Sequence, residues 1–479
     1  MAKKEQSIKA LWGGRFSKGL HESAKKYSYS LEVDYALLGS DVKVSMAHAL
    51  GLAKVGLMKD SEAKQIVKGL WSVLSDLKKL DPRSVSAHVE DVHTLIQNAL
   101  EKKIGALAKK LHTARSRNDL VATSTRLFVK DRLADLAEQI NLFQSTLLSI
   151  AKKYDSVLMP GYTHLQRAQT ISFAHYVLAY VEMLERDKKR AFALRNSLDE
   201  CPLGACALSG STLSIDREYV AKMLGFKKPT ANSVDSVSDR DFVIESLSVI
   251  SILMMHLSRF SEDLILWNSQ EFGFVTLSDE FSTGSSLMPH KKNPDMLELV
   301  RARAGSAYGN LISVLTMMKG LPLSYNRDMQ EDKKPLFESI RLALTSLEVL
   351  GGVVAGIEIN HAEMKRAVQD SLLYATDLLE YLVGKNVAFR DAHEIVGKLV
   401  QYAIESHSNL SGLSLEVYKK FSPKFGKDVL DLFNAQISVG KKVTLGSPNP
   451  NFVKKELARW QKVLSDEKKY ITKVQSHHA

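Results

Sequence analysis

Between Ser282 and Asp295 the chain places Thr283, Ser285, Ser286, His290, Lys291, Lys292 and Asn293 in a segment broken by Gly284, Pro289 and Pro294. Buried polar groups need hydrogen-bond partners, so this composition does not suit a packed core. It suits a mobile loop that closes on an anionic substrate. The end of the segment reads as a helix start, with Asn293 as N-cap, Pro294 at the first helical position and an apolar-rich run from Met296. The positive end of that helix would face whatever the loop binds.

Two more polar segments lie at expected helix boundaries. One is His112-Thr113-Ala114-Arg115-Ser116-Arg117-Asn118-Asp119 and the other is Met159-Pro160-Gly161-Tyr162-Thr163-His164-Leu165-Gln166. Together the three offer Arg115, Arg117 and Lys291 for carboxylates. They offer Ser116, Asn118, Thr163 and Asn293 as neutral donors, and His164 with two serines for proton transfer. Singly, each has an ordinary explanation: a helix cap, a structural histidine, a turn, a solvated charge. In one chain they point to chemistry beside a carboxylate. Cys201-x4-Cys206 is not read as a zinc spacing, and no metal or other cofactor is expected.

Long helices must position these segments. No proline occurs between Arg83 and Met159, between Thr230 and Met288, or between Leu336 and Ser422. Leu133, Leu136, Ile140, Phe143, Leu147 and Ile150 recur at steps of three and four, as do Val243, Leu247, Ile250, Met254 and Leu257. Ser238 and Asp241 suggest a variant capping box before the second seam. A third seam, Leu336, Ile340, Ala343, Leu347 and Leu350, is expected to start at Pro335 and stop at Gly351-Gly352. The helix from Pro294 should end near Gly320. Strand signals are sparse, and Leu203–Ile215 reads as a hairpin or loop. The expected fold is all-α in three parts: an N-terminal helical domain (1–112), a central bundle of very long helices (113–360) and a smaller, more basic helical domain (361–479). The helix around Ile250 is apolar almost all round, which suggests burial against other subunits.

Composition narrows the classes. Of 479 residues, 45% are hydrophobic and 25% charged, as in a globular protein. Two cysteines and no apolar stretch behind Met1–Gln6 fit a cytoplasmic protein without a signal peptide. The apolar run Ser246–Ser258 is shorter than the ~20 residues a bilayer needs, so no membrane association is expected. The net charge is +11, and most of the excess lies beyond Ser411, where lysines mix with acids and apolar residues. That is a solvated helical surface, and no nucleic-acid partner is expected.

The run Gly284-Ser285-Ser286-x-Met288-Pro289-x-Lys291-x-Asn293-Pro294 resembles the signature of the fumarase/aspartase superfamily. The opening Leu11-Trp12-Gly13-Gly14-Arg15-Phe16 is similar to that of the argininosuccinate lyases. So are the segment 112–119, Gly161-Tyr162-Thr163-His164-Leu165-Gln166, Ser238-Asp239-Arg240-Asp241, and the run from Leu321-Pro322 to Gln330-Glu331-Asp332-Lys333. The resemblance runs from Leu11 to about Asn360 and fades beyond it. Ala114 stands where that family usually has Gly, His290 where it has Gln, and Cys206 where it has a small residue.

The resemblance implies a cytoplasmic homotetramer whose sites draw on three subunits, with a small-molecule substrate, argininosuccinate, cleaved to arginine and fumarate. It implies that Ser285 removes the proton and Lys291 helps activate it. His164, oriented by Glu298, would protonate the leaving nitrogen, directly or through a water; an alternative assignment makes His164 the base, and the sequence does not decide between the two. Ser116, Arg117, Asn118, Thr163, Lys291 and Asn293 would hold the succinyl carboxylates. Ser30, Asp34, Tyr325, Gln330 and Lys333 would hold the arginine part or shared backbone, and Arg240 is a further candidate for substrate binding. The rival readings are another lyase of the superfamily, a catalytically silent structural protein on the same scaffold, and a basic nucleic-acid-binding protein. The Trp12–Phe16 opening, the intact Ser285 and His164, and the scattered lysines argue against these in turn.

Overall fold

A computed structural model describes residues 19–476. The Leu11–Phe16 opening lies outside them. An N-terminal group of helices, α1 (Leu38–Lys54), α2 (Asp60–Leu77) and α3 (Val92–Ile104), encloses its own apolar core of Val42, Ile66, Leu70, Val73 and Leu100. The main body is a bundle of α4 (Arg117–Lys153), α5 (Phe173–Ser197), α6 (Asp241–Asn268), α7 (Asp295–Met318) and α8 (Lys333–Gly356). At 37 residues, α4 is about 55 Å long. The fold is all-α, and among the described residues the strands form only short pairs.

All three seams face the common core. Ile140, Leu147, Leu247, Met254, Ala343 and Leu350 are each 0% exposed. Burying such a side chain is worth roughly 1.5–3 kcal/mol, so each seam holds its helix far more firmly than helix propensity does. The run Ser246–Ser258 understates α6, which has 28 residues. This helix and the stretch Arg327–Gly356 are long and apolar enough to cross a bilayer by length and composition. Here both pack within the bundle.

Four local expectations need correction. First, α7 begins one residue later than expected: Pro294 is the N-cap, and Asn293 lies in a strand pair. Second, Ser238 does not cap α6; its hydroxyl bonds back to Val234 O, and Asp239 accepts the N–H groups of Arg240 and Asp241 instead. Third, α8 runs through Gly351 and Gly352 to Gly356. A Cβ at Gly352 would lie 2.1 Å from the Phe281 ring, so this glycine serves packing rather than termination. Fourth, the polar segment around His164, expected at a helix boundary where strand signals are sparse, is an antiparallel hairpin, β1 (Leu158–Thr163) with β2 (Gln166–Ser172).

The chain beyond 360 forms a further core from α9 (Ala375–Gly384) and α10 (Phe389–Glu405), centred on Leu378, Leu382, Leu399 and Tyr418. Its last helix, α11 (Pro450–Ser476), turns back to the main body, where Val453, Leu457, Trp460 and Leu464 join the bundle core.

Candidate active site

The segment 112–119 turns the chain from a 3-10 helix (Gly105–His112) into α4. Ser116 and Asp119 form a capping box there: the Ser116 hydroxyl accepts from Asn118 N, and Asp119 accepts from Ser116 N at 3.0 Å. Arg117 Nη1 donates to Glu90 at 3.2 Å, and its Nη2 donates to Thr94 Oγ1 at 2.6 Å and lies 3.5 Å from Asp91. Asn118 Nδ2 donates to Ala207 O at 3.0 Å. Arg115 is turned away, donating to Ser45. His48 Nε2 donates to Thr113 O at 2.9 Å, and burial, reinforced by the Arg115 cation, pushes its pKa down to about 3. A C=O acceptor fixes the tautomer: His48 Nε2 carries the proton and donates.

A second cluster links to Arg117 through Glu90, which also pairs with Arg327 at 3.2 Å and accepts Ser30 N on its carbonyl at 2.8 Å. Ser30 Oγ donates to Asp34, whose carboxylate lies 3.9 Å from Lys333 Nζ. Lys333 also lies 3.2 Å from Asp332, and Asp332 receives Arg240 Nε at 2.7 Å. Asp34, Arg240, Asp332 and Lys333 are all buried. Burial opposes the charge on Lys333, yet Asp332 and Asp34 outweigh it and hold its pKa above the ordinary range. Burial raises Asp34 despite Lys333 and Ser30. Arg240 is fully enclosed and held by Asp332, so within the chain it supports Lys333 rather than facing a ligand. Gln330 reaches Ser28 O at 3.1 Å, and Tyr325 is half-buried beside Lys333.

The hairpin places His164 at its exposed tip. His164 and Leu165 both have positive φ, 55° and 58°, as a two-residue primed turn requires. Thr163, the last residue of β1, is exposed beside it.

The Ser285 loop is closed at its base by β3 (Thr283–Gly284) against β4 (Lys292–Asn293). Thr283 bonds to Asp295 at the start of α7, and Lys292 is tied to Leu277 O and Asp279, each at 2.6 Å. Phe281 packs on Gly352 beneath it. The loop itself is open to solvent, with Leu287 84% exposed. Ser285 Oγ accepts the N–H groups of Leu287 at 3.2 Å and Met288 at 3.0 Å. Lys291 and His290 are exposed, as is Glu298 on the first turn of α7. The two adjacent lysines thus differ in employment: Lys292 anchors the loop and Lys291 projects from it.

One chain therefore unites Ser30, Asp34, Arg117, Arg240, Gln330 and Lys333. No hydrogen bond or ion pair among the described residues joins this group to His164 or to Ser285, Lys291 and Glu298, nor His164 to Glu298. Glu90, Asp91 and Asp332 are charged members that sequence reasoning passed over, and Asp119 is another. Only Asp119 carried a local signal, the spacing Ser116-x-x-Asp119. Among the described residues no group of three or more His, Cys, Asp and Glu side chains is placed to hold a metal ion.

The bundle and its polar loops define a class, and residues 14–309 match the family model described as Lyase. A variant of EDDS lyase solved with bound fumarate superposes with a TM-score of 0.82 at 25% identity, over 95% of this chain and 91% of that one. A class II fumarase from Schistosoma mansoni shares the fold, with a TM-score of 0.72 at 18% identity, over 87% of this chain and 96% of that one. Residues 372–440 match the model described as Argininosuccinate lyase C-terminal. The argininosuccinate lyase of Caldanaerobacter subterraneus is 48% identical over 91% of this chain and 99% of its own length. That of Ruthia magnifica is 46% identical over 95% of each. The chain belongs to the argininosuccinate lyase family. It is a lyase. The likeness also continues past Asn360, where the sequence motifs fade.

Proposed function

We propose that this protein cleaves argininosuccinate reversibly to L-arginine and fumarate, in the cytoplasm, as the last step of arginine biosynthesis. The observation that carries the mechanism is the Ser285 hydroxyl, whose oxygen already accepts two backbone N–H groups on a loop otherwise open to solvent. Donors aimed at that oxygen favour its alkoxide, and Lys291 adds a positive charge when the loop closes.

Ser285 takes the proton from the carbon beside one succinyl carboxylate. The electron pair spreads into that carboxylate as a doubly charged aci-form. Ser116, Asn118, Thr163, Asn293 and the cations Arg117 and Lys291 stabilise it more than they stabilise the ground state. The pair then returns to form the double bond of fumarate as the C–N bond breaks. His164, oriented by Glu298, supplies the proton to the departing nitrogen. Ser30, Asp34, Tyr325, Gln330 and Lys333 hold the arginine half, with Arg240 fixing Lys333 through Asp332.

We infer that the site is assembled in a homotetramer, each site drawing the 112–119 turn, the His164 hairpin and the Ser285 loop from three different subunits. That no hydrogen bond or ion pair joins these groups within one chain, among the described residues, supports this reading. So does α7, where Leu299, Tyr308, Ile312 and Leu315 stand 41–60% exposed, while Leu297, Val300, Ala304, Ala307 and Val314 on the same helix pack into the bundle. The test is fumarate absorbance on incubating the purified protein with argininosuccinate. Activity on adenylosuccinate alone overturns the assignment.

A further inference from the structure

Asp119 does more than cap α4. A capping carboxylate needs one oxygen and ordinarily sits in water. Asp119 is 0% exposed, and its second oxygen accepts Gly204 N at 2.9 Å and Cys206 N at 2.8 Å, from a loop far along the chain. Both donors have positive φ, 93° and 54°, which aims two amides at one acceptor. The same loop is joined to the turn before α4 twice more, by Asn118 Nδ2 to Ala207 O at 3.0 Å and by Cys206 Sγ to Ala114 O at 3.3 Å.

The opposite side of the loop is held by Arg217. Its guanidinium donates to the carbonyls of Leu203 at 3.0 Å, Thr230 at 3.2 Å and Cys201 at 3.3 Å. The amides are thus satisfied by a carboxylate and the carbonyls by a guanidinium. Burial pushes the Asp119 carboxyl up to about 6 against the pull of its three N–H donors. An ordinary cap would not incur that desolvation.

We propose that Asp119 is a positioning residue for the fumarate half of the substrate, clamping the Gly204–Ala207 loop to the Ser116–Asn118 turn so that Ser116, Arg117 and Asn118 meet a succinyl carboxylate as one rigid unit. This rests on the substrate assignment above. The arginine half is held elsewhere, around Asp34 and Lys333, so loosening the clamp affects the two products unequally. A role in stability alone would weaken both alike.

The experiment measures inhibition by fumarate and by arginine separately, on tetramers verified by sedimentation. In Asp119→Asn the single amide oxygen cannot serve all three N–H groups. The fumarate inhibition constant should rise at least tenfold, while that of arginine changes less than twofold. Arg217→Gln, which frees the far side of the loop without touching the site, should give the same selective change if Asp119→Asn does not assemble. Parallel changes in both constants, or none in the fumarate constant, overturn the inference. Failure of the wild-type protein to bind fumarate overturns the substrate assignment instead.

Discussion

Replacing Ser285 by Ala removes an oxygen on which two amides already converge, at 3.2 and 3.0 Å. A hydrogen bond to a charged group is worth about 1.5–3 kcal/mol, so the pair stabilises a developing alkoxide by roughly 3–6 kcal/mol. At about 1.4 kcal/mol per unit, that lowers the hydroxyl pKa by roughly 2–4 units before Lys291 contributes. Loss of a positioned base ordinarily costs about 10²–10⁴ in rate. Ser285→Ala should therefore lower kcat by about 10³, at the middle of that range. Substrate affinity should hold within about threefold, because the carboxylate donors named above remain. Fumarate release reports the rate, and exchange of the substrate proton for solvent deuterium reports the proton step alone. Retention of a tenth or more of the wild-type rate would refute the reasoning. So would a His164→Asn variant that loses deuterium exchange while Ser285→Ala keeps it, since the base would then be the imidazole.

Three other outcomes follow from the same geometry. Asp332→Ala leaves Arg240 and Lys333 buried with their shared carboxylate gone; breaking such a pair costs about 3–5 kcal/mol, and at about 2.1 cal/mol/K per residue the 479-residue chain should melt roughly 4 °C lower, measured by calorimetry at fixed protein concentration. Ala114 sits at φ 52°, a conformation costing a non-glycine residue about 1–2 kcal/mol, so Ala114→Gly should be neutral to stabilising by up to about 1 kcal/mol in denaturant unfolding. His48 is held neutral in the fold, with its pKa pushed down to about 3, whereas the unfolded chain binds its proton near 6.5. Its contribution is therefore present above pH 6.5 and is lost as pH falls toward 3, and any melting advantage of wild type over His48→Gln should shrink between pH 7 and pH 4.5.

The long helices were legible because Leu133–Ile150, Val243–Leu257 and Leu336–Leu350 repeat at helical spacing and bury their seams in one core. The three polar segments of the candidate site stood out in the sequence as clusters of polar residues a core would not accept. The hairpin around His164 was not, because neither member of its turn is the Asn or Gly that primed turns favour, and β2 has the mixed sequence Gln166–Ser172. Gly351-Gly352 misled because a glycine can end a helix or admit a ring, and only the position of Phe281 decides. The network joining Asp34, Arg240, Asp332 and Lys333 spans distant parts of the chain, so no local pattern announces it. Asp119 was readable as a cap, but its second role depends on where the Gly204 loop comes to rest.

The claim that most needs testing is that each site is built across chains. Mixing inactive Ser285→Ala tetramers with inactive His164→Asn tetramers, then dissociating and reassembling them, tests it directly. If the Ser285 loop and the His164 hairpin of one site come from different subunits, hybrid tetramers contain sites with both residues intact, and fumarate production returns. Hybrids that form, as native mass spectrometry would show, yet remain as inactive as either parent would contradict it.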